Sequence, residues 1–189
     1  MSLRFAAASD CRAMLDIYAQ YIDTNITFET ALPSEEDFSG RIENISREYP
    51  WLVWEEGGKI LGYAYAHRLH ERAAYQWDAE LSVYLDKSCV SRGMGKRLYL
   101  ALFDILRMQG IHTVYGIVTS PNEKSERLHH SLGFRLIGVH RNTGYKNGRW
   151  IDVSWFERAI AAYDAAPRPF IPIDGVAQDK LALIVEKYS

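Results

Sequence analysis

The stretch from Glu80 to Val118 constrains the chain most. A strand-like run, Glu80 to Leu85, passes through a short loop into Arg92-Gly93-Met94-Gly95, and a strong helix follows. Leu98, Leu102, Ile105 and Leu106 mark the helix's buried stripe, and Gly110 suits its end. Thr113 to Val118 is again strand-like. Strand, glycine turn, helix and strand form a βαβ unit. Glycines let the backbone approach an anion closely, and the unpaired N–H groups of a first helical turn bind phosphate oxygens. Ser91, Arg92, Lys96 and Arg97 add donors and positive charge at that end. Cations at a helix N-terminus are locally unfavourable, so an anionic ligand would account for them. A plain strand–helix connection with solvated basic residues accounts for them too, and the turn alone does not separate the two. The dinucleotide fingerprint would need a third glycine, and a Walker loop would need GxxxxGK[ST].

The rest of the chain supplies the other layers. Leu3 to Ala6 alternates as a strand. Asp10 is expected to cap a helix with Met14, Ile17, Tyr18, Tyr21 and Ile22 on one face. Ser34 and Asp37 stand in capping-box positions before Phe38, Ile42 and Ile45. Trp51 to Trp54 and Ile60 to Ala66 flank Gly57-Gly58, a hairpin signal. After a polar loop from Arg68 to Gln76 come the βαβ unit and a short helix, Glu123 to Leu132, stopped by Gly133. Strands follow at Phe134 to His140 and Trp150 to Glu157, turning near Asn147-Gly148. The order implies an α/β (α+β) domain: one mixed central sheet with helices on both faces. Tyr145, Trp150, Trp155 and Phe156 are expected in the core, as are Trp51 and Trp54. A proline-rich tail around Pro167 to Pro172 precedes a short helix near Gln178 to Tyr188.

Composition bounds the function. The 189 residues suit one domain, and 48% hydrophobic with 24% charged is ordinary for a globular chain. A net charge of −2 gives no bulk attraction to nucleic acid or acidic membranes. Cys11 and Cys89 alone cannot make a disulfide framework or a four-ligand zinc site, so no metal is expected. No signal peptide or membrane span is evident, and a cytoplasmic location is expected.

Three further segments carry a family likeness. Pro121-Asn122 is followed by Leu128-His129-His130-Ser131-Leu132-Gly133-Phe134; Gly144-Tyr145-Lys146-Asn147-Gly148-Arg149-Trp150-Ile151-Asp152-Val153 lies later; Tyr75-Gln76-Trp77-Asp78-Ala79-Glu80 lies earlier. With Gly93 and Gly95, the chain resembles the GNAT N-acetyltransferases, and within them the phosphinothricin (bialaphos-resistance) acetyltransferases. The likeness covers about residues 3 to 173. It implies a single domain over 1–173 and a C-terminal extension over 174–189.

The resemblance implies a GNAT fold in which acetyl-CoA, as co-substrate, lies between two splayed parallel strands. Backbone groups of Val83, Tyr84 and Leu85 would pair with the pantetheine. The turn Ser91, Arg92, Gly93, Met94, Gly95 and Lys96 would hold the diphosphate, and Asn122 the pantetheine arm. Val90 departs from the family's Gln or Arg and implies one missing polar contact. An ammonium has no lone pair for a thioester, so a base is needed. Glu80 aligns with the subgroup's catalytic glutamate. His129 stands where many family members carry a tyrosine and the subgroup a histidine, and would donate a proton to the leaving sulfur, bind substrate or simply pack. Phe28, Arg72 and Tyr75 would line the site for the amine. His70 replaces a subgroup lysine, which leaves phosphinothricin, methionine sulfoximine and methionine sulfone as equal candidates. A homodimer is expected, through the final strand and the proline-rich tail. Acetylation of a protein or peptide amine, or acyl-CoA sensing without catalysis, are the alternatives.

Overall fold

The computed structural model describes residues 2–89 and 92–189. Its strands are β1 (Ser2–Phe5), β2 (Trp51–Glu56), β3 (Lys59–Arg68), β4 (Asp78–Leu85), β5 (Thr113–Ser120), β6 (Arg135–Lys146) and β7 (Arg149–Ala159). They form one sheet in the order β1-β2-β3-β4-β5-β7-β6. Helices α1 (Cys11–Ala19) and α2 (Glu35–Ser46) cover one face; α3 (Met94–Met108), α4 (Glu123–Ser131) and α5 (Gln178–Tyr188) cover the other. This is the mixed sheet with helices on both faces that the element order implies.

Local chemistry explains the elements. Trp51 and Val53 pack toward α1 and α2 while Leu52 and Trp54 pack toward α3, the period-two alternation of a strand buried on both faces. Gly57 and Gly58 take φ of +59° and +77°, which closes the β2–β3 hairpin in two residues. On α3, Leu98, Leu102, Ile105 and Leu106 are fully buried, and each contributes roughly 1.5–3 kcal/mol of burial. Ser34 Oγ accepts the Asp37 N–H at 3.0 Å and caps α2.

Two expectations need correction. Asp10 makes no side-chain cap to α1; its carboxylate accepts the Ala7 N–H at 2.7 Å and pairs with Arg4 at 2.6 and 2.9 Å. Tyr145 and Trp150 are each 61% exposed. They pair edge to face across the β6–β7 hairpin on its outer side, because strand alternation turns Gly144 and Lys146 inward instead. Phe156, by contrast, is buried.

The tail and last helix join the same core. Phe170 stacks on Tyr49 at 4.9 Å, and Trp77 Nε1 donates to the Arg168 carbonyl at 2.7 Å. Val176 and Leu181 are buried in the cluster under α3, and Lys187 and Tyr188 reach Asp104.

Candidate active site

The parallel pair β4–β5 is joined over three registers only: Asp78–Thr113, Ala79–Val114 and Glu80–Tyr115. Beyond Glu80, β4 continues to Leu85 paired with β3 alone, and β5 continues to Ser120 paired with β7 alone. The two strands therefore diverge, and Glu80 is the last residue of β4 before they part.

A cavity of about 640 Å³ fills the opening. Val83, Tyr84 and Leu85 form one wall, Gly93, Gly95 and Lys96 the end at α3, and Asn122, Ser125 and Leu128 the side at α4. A second space of about 60 Å³ lies deeper, reached by Ser82, Thr119, Asn122 and His129. Gly93 is left-handed, φ +80°, and turns the chain into α3.

The turn expected to hold a diphosphate divides. Gly93, Gly95 and Lys96 face the cavity. Met94 is 3% exposed in the hydrophobic core, so only its backbone can meet a ligand. Arg92 turns to Glu56, 3.0 Å away. Ser91 and Val90 lie outside the described residues. Leu85's carbonyl accepts from Tyr21 Oη at 2.5 Å. Asn122 lines both spaces and caps α4, its Oδ1 accepting from Ser125 N–H at 3.3 Å.

Sequence reasoning missed Tyr21, Ile26, Lys87, Lys124, Ser125, Arg127 and Leu128, all cavity-lining. Lys124, Arg127, Leu128 and Ser131 recur at helical spacing on α4, a signal that could have found them. Among the described residues, four that line the cavity are cationic and none is acidic: Lys87, Lys96, Lys124 and Arg127. Glycines, free strand edges and cations together fit a long ligand with phosphate groups at one end.

Glu80 is partly buried, its side chain 21% exposed, with His67 Nε2 3.7 Å from its carboxylate. Burial pushes its pKa up; the nearby His67 and His70 partly offset this. Across the register, the burial of Tyr115 pushes its phenol to about 12, so it stays protonated.

His129 is 2% exposed. Its Nδ1 lies 2.8 Å from the Ser125 carbonyl, which can only accept, so the ring proton sits on Nδ1. In the neutral ring, the form that burial favours, Nε2 then carries a lone pair; it is buried without a partner among the described residues, against the Gly116 Cα. Burial also lowers the ring's pKa.

The acceptor residues form a looser set. Tyr75 is 40% exposed and meets His70 edge to face at 4.7 Å. Arg72 is exposed at the start of that turn. Phe28 lies against Gly144, so close that a Cβ there would sit 2.4 Å from the ring. None of Glu80, Phe28, Arg72 and Tyr75 lines either cavity. No cluster of ligands suited to a metal ion occurs among the described residues.

Residues 3–155 match the family model of the acetyltransferase (GNAT) domain. The chain belongs to the GNAT acetyltransferase family. Among curated relatives of this GNAT chain, a phosphinothricin N-acetyltransferase of Streptomyces viridochromogenes is 36% identical over 92% of the chain and 94% of its own length. An L-methionine sulfoximine/L-methionine sulfone acetyltransferase of Salmonella typhimurium is 31% identical over 88% and 98%. A phosphinothricin acetyltransferase of Sinorhizobium meliloti, solved in complex with acetyl-CoA, superposes with a TM-score of 0.83 at 32% identity, covering 94% of this chain and 96% of that one. The fold expectation and the family resemblance are both borne out. No helix among the described residues is long and apolar enough to cross a membrane.

Proposed function

We propose that this acetyltransferase moves the acetyl group of acetyl-CoA to the α-amine of a small anionic amino-acid analogue of the phosphinothricin or methionine sulfoximine type, with Glu80 as general base. One observation carries the reading: the wedge between β4 and β5 closes at a partly buried carboxylate. A coenzyme whose phosphates lie at Gly93, Gly95 and Lys96 would extend its thioester along β4 toward Glu80. The named relatives support the donor and the acceptor class.

The step balances as follows. The bound ammonium gives one proton to Glu80, directly or through a water, and gains a lone pair. The amine nitrogen attacks the thioester carbonyl, forming the C–N bond, and the C–S bond then breaks. Nitrogen gives up a second proton as the amide forms. One of the two protons ends on the thiolate and the other passes to solvent. His129 presents a lone pair at Nε2 rather than a proton, so we assign it packing between α4 and β5 in place of the expected donation to sulfur. Arg72, on a loop beside Tyr75, supplies the cation for the substrate's acidic head.

The direct test mixes the protein with acetyl-CoA and methionine sulfoximine, phosphinothricin or methionine sulfone, and follows free thiol. Thiol release with at least one is expected. No turnover on a broad panel of small amines would sink the reading.

We also infer a homodimer. In the proline-rich stretch Phe170 packs on Tyr49 while Arg168, Pro169, Ile171 and Pro172 are exposed, and Leu136, Ile137, Tyr145 and Trp150 leave apolar area on β6–β7. Sedimentation should give a dimer that Trp150→Glu dissociates; a monomeric parent at micromolar concentration counts against it.

A further inference from the structure

The Gly144 to Trp150 segment is the most distinctive motif of the sequence, yet its two aromatic side chains point to solvent. The inward residues between them meet the irregular segment that joins α1 to α2. Lys146 is 5% exposed, and its Nζ donates to the Thr27 carbonyl at 2.7 Å. Asn147, in a left-handed conformation with φ +52°, donates from Nδ2 to the Asp23 carbonyl at 3.1 Å. Gly144 holds the Phe28 ring against its Cα. Thr27 is pinned from its other side, since its buried hydroxyl meets Tyr18 Oη at 2.6 Å.

The residues on either side of Thr27 have different neighbours. Ile26 lines both the large and the small cavity of the wedge. Phe28 lies against the hairpin, where the proposed acceptor would enter. Residues 20–34 form no helix or strand of their own, so their position depends on such attachments. Burying an ammonium is costly unless it is hydrogen-bonded, and desolvation lowers this lysine's pKa while Asp23 and Glu29 offset part of the effect. A lysine on a surface strand would ordinarily point to water. Its inward placement calls for a role inside.

We propose that Lys146 is a positioning residue that fastens the Thr27 carbonyl, and so fixes Ile26 and Phe28 on the two sides of the acetyl-transfer point. This rests on the acceptor site proposed above. Asn147 is the weaker second fastening. Lys146 touches neither substrate; it acts through the loop, so it should govern acceptor affinity rather than the chemical step.

The test combines a readout without turnover and one with it. Hydrogen exchange of amides 23–29 is measured in the substrate-free protein for the parent, Lys146→Met, Lys146→Arg and Asn147→Gly. The glycine keeps the left-handed backbone while removing the amide donor. Acceptor KM, acetyl-CoA KM and kcat are then measured with methionine sulfoximine, or the best amine of the panel. Lys146→Met should speed exchange across the loop about tenfold and raise acceptor KM on the order of tenfold, leaving kcat and acetyl-CoA KM within about threefold. Lys146→Arg should restore part of both effects, and Asn147→Gly should show a smaller version of them. Unchanged loop exchange in Lys146→Met overturns the proposal, whether or not any amine is turned over. Faster exchange with an unmoved acceptor KM overturns it too, because Lys146 would then serve stability alone. If Lys146→Met does not fold, Asn147→Gly decides, with parental exchange and KM counting against the proposal. A parent that acetylates no amine removes the functional reading, and the exchange data still judge the fastening.

Discussion

Glu80→Gln should lower kcat by about 10²- to 10⁴-fold, roughly 2.7–5.4 kcal/mol of barrier, while acetyl-CoA affinity stays at the parental value. Gln keeps the shape and removes the proton acceptor. The side chain sits where β4 and β5 part, on the last shared register, so a coenzyme held by the α3 end of the wedge does not depend on its charge. His129→Phe, in the same assay, should keep kcat within about threefold, because Nε2 has no proton to give. Activity indifferent to Glu80, or a collapse with His129→Phe, reverses the assignment of roles.

Stability should move the other way. Burial raises the Glu80 pKa above its ordinary 4.5, so the folded state prefers the protonated acid. That preference favours folding fully below the unfolded value and is lost as pH rises through the raised folded value. At neutral pH the ionised form is a cost that Gln does not carry, so Glu80→Gln should melt at or above the parental temperature. The rate limb has the matching sign: the base must be ionised, so kcat/KM should rise with pH through the raised pKa, and that limb should vanish in the variant. A functionally silent strand glutamate would show neither the rate loss nor the missing limb.

Much of this arrangement is legible in the residues, for physical reasons. The two-residue glycine turn at 57–58, the α3 stripe and the Ser34 cap are local patterns, and each holds in the fold. The wedge is different. Nothing in the periodicity of Asp78 to Leu85 says that pairing stops after Glu80; that depends on where β5 goes, which is a tertiary matter. Ile26 escaped notice because the segment after α1 has no regular pattern to place it, and Tyr21, read as part of the α1 face, lies two residues past the end of that helix and lines the cavity. Tyr145 and Trp150 looked like core because they are large and apolar, but a hairpin at the edge of a sheet has an outer side. Lys146 is the converse: a charge in a polar turn, buried by alternation along β6 and by a loop from 119 residues earlier.

Gly95→Leu should weaken acetyl-CoA binding on the order of 100-fold, about 2.7 kcal/mol, with little loss of fold stability. The two glycines of the turn have separable roles. At Gly93 the backbone is left-handed, and a Cβ would meet nothing within 4 Å. Substitution there costs roughly 1–2 kcal/mol through conformation alone, a fall in Tm of a few degrees at this chain length. At Gly95 no left-handed backbone is needed, and an added Cβ would rest at 3.5 Å from Leu128, 3.6 Å from Leu85 and 3.9 Å from Val83, ordinary contacts. Alanine there should therefore help the helix, by up to about 1 kcal/mol, since only the coenzyme gains from its being glycine. All three of those neighbours line the large cavity, so a longer side chain grows into the space where the diphosphate would lie against the first turn of α3. Calorimetry and a melting curve on Gly95→Ala, Gly95→Leu and Gly93→Ala separate the cases. Stability lost at 93 and affinity lost at 95 is the expected pattern. Parental affinity in Gly95→Leu would mean that the coenzyme does not enter this wedge.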